Sequence, residues 1–145
     1  MAYRHTQCGT VTLVSLGGGA LVILGIMAFT GWSALPLLIV GVLDICCLLF
    51  YALTVEIKDG VLECRFGPGL LRKRFQLAEV RSVEVVRNRW FYGWGIRRVP
   101  DGWLLNVSGF DAVAITLASG KKYRIGTDQP NELAEAIRQG AGLSA

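Results

Sequence analysis

The sequence predicts a membrane-anchored α+β protein: an N-terminal transmembrane helical hairpin, then a small, strongly bent β structure closed by a C-terminal helix. Three observations predict it. Val11 to Leu53 is almost continuously apolar, interrupted chiefly by Thr30-Gly31-Trp32-Ser33 and by Asp44. Each half reaches the roughly 20 residues needed to cross a bilayer as a helix. Charge is also segregated: residues 1–53 contain only Arg4 and Asp44, so the whole net charge of +4 in this 145-residue chain lies beyond them. From Leu53 onward, finally, the apolar period changes from helical to the alternation of strands. Hydrophobic residues make up 52% of the chain and its mean hydropathy is +0.45. That is high for a soluble domain, and the polar remainder is long enough for one core.

The hairpin occupies residues 1–53, with spans over 11–29 and 34–53. Residues 30–33 make the turn. Ser33 suits the cap of the second helix, Pro36 falls in its first turn, and Trp32 is an interfacial aromatic. A second apolar run follows the first without a small-x-small exit, which favours a retained hairpin over a cleaved signal. The turn carries no cation. Arg4 precedes the first span, and Lys58, Arg65, Arg72, Lys73 and Arg74 follow the second. The positive-inside bias therefore puts both termini on the cytoplasmic side of the inner (cytoplasmic) membrane, in a multi-pass arrangement.

Asp44 lies near the middle of the second span, where a carboxylate costs about 2.5–3.5 kcal/mol on insertion scales. In an antiparallel hairpin it would lie level with Ala20, beside Gly17-Gly18-Gly19, and Ser15 with Gly19 forms a small-xxx-small pair. A polar bond across a helix interface, within the hairpin or between copies, is one reading. A tolerated carboxylate and an ion or proton pathway are the others. The four cysteines, Cys8, Cys46, Cys47 and Cys64, lack metal-ligand spacing and read as small packing residues. His5 is the one histidine, and no Ser or Cys has a base at a recognisable spacing. No enzymatic activity, metal or cofactor is expected.

The polar domain runs over 54–139, with 140–145 as a flexible tail. Leu53 to Lys58 and Val61 to Phe66 alternate on either side of Asp59-Gly60, a strong hairpin signal. Gly67-Pro68-Gly69 ends that hairpin. Further strands are expected over Leu71–Leu77, Val80–Arg87, Trp103–Val107, Ala112–Leu117 and Lys121–Ile125. Asp128 is expected to cap a helix over Gln129–Gln139 that buries Leu133, Ala136 and Ile137.

The stretches LTVEIKDGVLECRFGPGLLRKRF, YGWGIRR and GWLLNVSGFDAVAITLASGKKYRIGTDQPNELAEAIR resemble bacterial pleckstrin-homology-like (PH-like) domains. They are similar in particular to small bacterial membrane proteins that carry a two-helix anchor before such a domain. The resemblance covers about Leu53 to Arg138. It implies a seven-stranded PH-like barrel or sandwich with a capping helix, often self-associating, and no enzymatic activity. Phosphoinositide-binding members place a basic cluster around the first hairpin loop. Here that loop is Asp59-Gly60, so headgroup capture of that kind is not implied.

The candidate contact surface is Arg87 to Trp103, which holds Arg87, Arg89, Arg97 and Arg98 interleaved with Trp90, Phe91, Tyr92, Trp94 and Trp103. Such a mixture suits a headgroup layer with anionic lipid or a protein interface rich in Trp, Tyr and Arg. Some of the rings could instead fill the core. Nucleic acid, which similar mixtures stack against, is not expected as a partner. The reading is therefore an interaction or assembly module on the bilayer. Arg87, Arg89, Trp90, Tyr92, Trp94, Arg97 and Arg98 would meet lipid, a protein partner or a second copy. The alternative is a small accessory subunit of a membrane transport or other multi-subunit complex, with Asp44 as its intramembrane polar group.

Overall fold

Strand pairing begins before the apolar region. The computed structural model describes residues 3–143, and its first element is a strand, β1 (Tyr3–Cys8). Gly9 leads into helix α1 (Thr10–Thr30), residues 31–33 turn the chain, and α2 (Ala34–Phe50) returns to β2 (Ala52–Lys58). β1 and β2 are antiparallel partners from Tyr3↔Ile57 to Cys8↔Ala52. The two helices are thus an insertion between adjacent strands, not an appendage on a linker. The expectation that residues 1–53 form only a helical hairpin is corrected at its start. β1 gave little strand signal because its inward residues are Tyr3, His5 and Gln7, none of them aliphatic.

α1 and α2 pack along their length. Ser15 and Leu16 share a groove with Cys46 and Phe50 near the base, Gly19 lies against Leu43, and Met27 shares a groove with Pro36 and Ile39 near the turn. α1, with 21 residues, is long and apolar enough to cross a bilayer, whereas α2 has 17. The second apolar run was expected to stay helical to residue 53. It ends at Phe50 because Ala52 and Leu53 are already paired in β2.

Nine strands are formed among the described residues, in two sheets. β1, β2, β3 (Val61–Phe66) and β4 (Leu71–Gln76) make the first, in that order. The second contains β5 (Val80–Arg87), β6 (Gly95–Val99), β7 (Gly102–Asn106), β8 (Asp111–Leu117) and β9 (Lys122–Gly126), ordered β5-β8-β9-β7-β6. The seven strands read from alternation are all present; β1 and β6 are additional. β7 runs parallel to β9, so the second sheet is not a meander. The sheets do not hydrogen-bond edge to edge among the described residues, and no seven-stranded closed barrel forms. The Asp59-Gly60 turn is as expected: both residues have positive φ, 52° and 75°, as in a type I′ hairpin.

The core lies between the sheets and is closed along one flank by α3 (Pro130–Ala141), which buries Leu133, Ala134 and Ile137. Asp128 does not cap this helix. The N-cap position is Gln129, whose N–H donates to Thr127 Oγ1 at 3.0 Å. Asp128 Oδ1 instead lies 2.5 Å from His5 Nε2 on β1. Nor does the chain fray at residue 140. Gly140 sits so close to Leu77 that a Cβ there would reach its Cδ1 at 2.5 Å. The left-handed Gly142 then ends the helix. Residues 144 and 145 of the expected tail lie outside the described residues.

Candidate functional site: the junction between helices and sheets

The base of the helix pair is joined to both sheets by directional bonds. The Gly9 N–H donates to the Tyr51 carbonyl at 2.7 Å, clamping the entry of α1 to the exit of α2. Space there is tight, since a Cβ at Gly9 would stand 2.7 Å from the Phe50 oxygen. On the other side the loop after β7 offers four consecutive carbonyls, and each accepts a hydrogen bond. Thr12 Oγ1 of α1 donates to Val107 at 2.8 Å, and Gln7 Nε2 of β1 donates to Ser108 at 3.1 Å. Trp94 Nε1 and Asn106 Nδ2 both donate to Gly109, at 3.0 and 3.1 Å. The Asn88 N–H donates to Phe110 at 2.6 Å. Asn106 is fully buried and fits because Gly126 beside it has no Cβ.

This arrangement places each of the sequence-selected residues. Trp94 is half-buried, bonded to the loop and tilted on Phe110 at 5.9 Å, so it supports the junction as well as facing outward. Tyr92 is half-buried under the Arg124 guanidinium at 5.5 Å. Arg87 pairs with Asp111 at 3.7 Å and lies over Phe110. Trp90 is 77% exposed and Phe91 55% exposed, on a short 3₁₀ turn over residues 90–92. Arg89, Arg97 and Arg98 are exposed, with no carboxylate partner among the described residues. Arg97 folds back over Gly93, where a Cβ would meet its Nη1 at 2.5 Å.

β6 brings Trp94, Gly95, Ile96 and Arg97 against the first turns of α1. Together with Val11, Thr12, Ser15, Leu16, Cys46 and Phe50 they line a groove of about 410 Å³. The half-buried Trp94, exposed Ile96 and unpaired Arg97 therefore stand beside the apolar helices at their base. Neither a scan against family models nor a search of curated proteins returns a match for this chain.

Asp44 stands apart from this cluster. It is exposed on α2 with no hydrogen-bond or ion-pair partner among the described residues, and a Cβ at Gly17, Gly18 or Gly19 would not meet it. The described residues also contain no cluster of three or more His, Cys, Asp or Glu that could hold a metal.

A second basic cluster that the sequence shows, Arg72-Lys73-Arg74, reads there as an exposed strand, and the structure places it exposed on β4 beside a further aromatic edge. Gly67, with φ 54°, presses on the last turn of α2, where a Cβ would stand 2.6 Å from the carbonyl oxygens of Leu48 and Leu49. Phe66 meets Phe50 edge-on at 5.3 Å. The turn that follows exposes Leu70 by 75% and leads into Arg72-Lys73-Arg74. What the sequence left unmarked was Leu70, an apolar residue directly after Gly67-Pro68-Gly69 and two positions before the three cations.

Two ionisable groups show how the domain is held. The hydrogen bonds from the Arg124 guanidinium, the nearest at 2.8 Å, hold the Asp101 carboxyl below the ordinary carboxylate range against the opposing effect of partial burial. Complete burial, with Glu63 adding to it, pushes the Cys64 thiol up to about 12. Cys64 is therefore a packing residue, not a nucleophile.

Proposed function

We propose that this chain is a non-enzymatic, membrane-anchored interaction module. α1 and α2 cross the cytoplasmic membrane as a hairpin with both termini cytoplasmic. The β domain, PH-like in the sense the sequence resemblance implies, is held against the inner leaflet and meets a protein partner or a second copy there. The observation that carries this reading is the junction: an apolar helix pair inserted between paired strands, with Trp94, Ile96 and the unpaired Arg97 lining a groove at its base. Outward side chains on the helices, among them Leu21, Phe29, Leu38 and Leu48, are exposed apolar groups. Such a surface calls for lipid or another helix. Aromatic rings with guanidinium groups at its foot match the headgroup layer.

Alkaline carbonate extraction of the full-length protein tests the anchor. Recovery in the pellet is expected, and release into the supernatant refutes it. For the contact surface, Trp90→Ala with Arg97→Ala and Arg98→Ala should abolish recovery of cross-linked partners or of the self-associated form while the fold survives. Retention of every cross-link refutes that assignment.

A second reading, the accessory subunit with Asp44 as its intramembrane polar group, is favoured by the exposure of Asp44 among apolar neighbours such as Ile45 and Leu48. An unpaired carboxylate at that depth is costly, and the two helices contain no Lys, Arg or His to meet it. Asp44→Asn should then change ion or substrate flux in membranes while leaving the cytoplasmic contacts intact.

A further inference from the structure

The seam between the two sheets that α3 does not cover, between the edge strands β4 and β6, opens into a cleft of about 300 Å³. Its floor is apolar, from Phe66 and Leu105, with Tyr123 at one side; Ile96 and Trp103 stand at the rim, 42% and 43% exposed. Arg72 and Lys73 border it and have no carboxylate partner among the described residues. Arg72 is pre-positioned, since its Nε donates to the Gly69 carbonyl at 2.6 Å and leaves the outer nitrogens free. The Lys73 ammonium is steered over the rings of Phe75 and Tyr123, at 5.9 and 5.4 Å. A mostly apolar cavity with a few converging polar groups is the usual form of a small-ligand site. Two cations at an apolar mouth select an amphiphile with an anionic head.

The cleft is continuous with the base of the helices. Phe66 touches Phe50 of α2, Ile96 lines both this cleft and the groove against α1, and exposed Leu70 lies on the turn leading into Arg72. We propose that the cleft takes one acyl chain of an anionic phospholipid from the surrounding leaflet, with its phosphate held between Arg72 and Lys73. This rests on the reading of α1 and α2 as membrane spans, which carbonate extraction tests independently.

The full chain is reconstituted into phosphatidylcholine nanodiscs containing a minor fraction of phosphatidylglycerol whose acyl chains carry bromine, a contact quencher of indole. Subtracting the signal of Trp103→Phe isolates the emission of Trp103. Brominated phosphatidylglycerol is expected to quench that emission by more than half and to saturate, while phosphatidylcholine with the same brominated chains quenches it several-fold less. Arg72→Glu with Lys73→Glu should move the saturation point about tenfold or more to higher anionic lipid, the equivalent of losing one or two charged contacts. Equal quenching by the neutral and anionic lipids, or an unchanged curve in the charge-reversed protein, overturns the proposal. With the protein still resistant to carbonate, either result leaves the membrane anchor standing.

Discussion

The Thr12 hydroxyl donates to the Val107 carbonyl although 95 positions separate them in sequence. Thr12 lies in the first turn of the apolar helix and Val107 opens the loop after β7. Both are buried, so one bond ties the first turn of α1 to the second sheet. With the β1–β2 pairing it fixes the helix pair to both sheets at once.

Removing that donor is costly because the carbonyl stays buried. Thr12→Val should destabilise the protein by about 1–3 kcal/mol, the usual penalty for an orphaned buried acceptor, and Thr12→Ser should recover most of the loss. Thermal unfolding in neutral detergent measures both. Equal stability of Thr12→Val and the parent would show that the bond contributes nothing.

Two glycines with positive φ separate strain from crowding. Gly60 has open space around it, whereas a Cβ at Gly67 would press on the carbonyl oxygens of Leu48 and Leu49. Gly60→Ala should cost about 1–3 kcal/mol from left-handed strain alone. Gly67→Ala should cost more and loosen the last turn of α2, read as faster amide exchange at Leu48 and Leu49. Equal costs would argue against close packing at Gly67.

The two neighbouring tryptophans should part company. Trp90 is 77% exposed, so Trp90→Ala should leave the unfolding midpoint unchanged and weaken membrane or partner contact. Trp94→Ala removes the donor to Gly109 and the ring against Phe110, and should lower stability by about 1–3 kcal/mol.

Asp101 sets part of the acid limit. Its folded-state pKa is lowered by Arg124, so its contribution is present above the unfolded carboxylate pKa, about 3.9. It is lost as pH falls through the lowered folded value. Asp101→Asn should therefore lower stability at neutral pH and flatten the decline below about pH 4. An acid limb with unchanged slope in that variant would remove Asp101 from the account.

The accessible Cys8 and the buried Cys64 offer a chemical readout. Cys8 is exposed, whereas Cys64 is inaccessible with its thiol pushed up to about 12. Iodoacetamide at neutral pH should label Cys8 and spare Cys64 until the domain is unfolded. Labelling of Cys64 at the rate of Cys8 would mean that the sheets open readily.

Much of the β domain was legible because its signals are local. Val55 and Ile57 alternate with polar neighbours, Asp59-Gly60 has the chemistry of its turn, and Leu133 with Ile137 follows a helical period. β1 was not legible, because Tyr3, His5 and Gln7 face inward without aliphatic side chains and the partner strand lies beyond both helices. β6 was hidden for a related reason: Gly95-Ile96-Arg97-Arg98 is an edge strand whose exposed arginines mask the alternation, as edge strands often do. At the junction, Thr12 and Asn106 carry no motif. Their roles come from carbonyls brought near by tertiary contacts, which no periodicity records. Trp94 read as surface because its arginine neighbours are exposed, while the bond of its indole to Gly109 depends on a loop 15 residues away.

The insertion of two helices between paired strands constrains how the chain is made. β1 leaves the ribosome ahead of the helices, yet its complement in β2 emerges only after α1, the turn and α2 have all been synthesised. Through that interval β1 has no partner, and its pairing starts only when β2 arrives. Synthesis therefore separates the two paired strands by both helices, so β1 is secured only once the helix pair has been made.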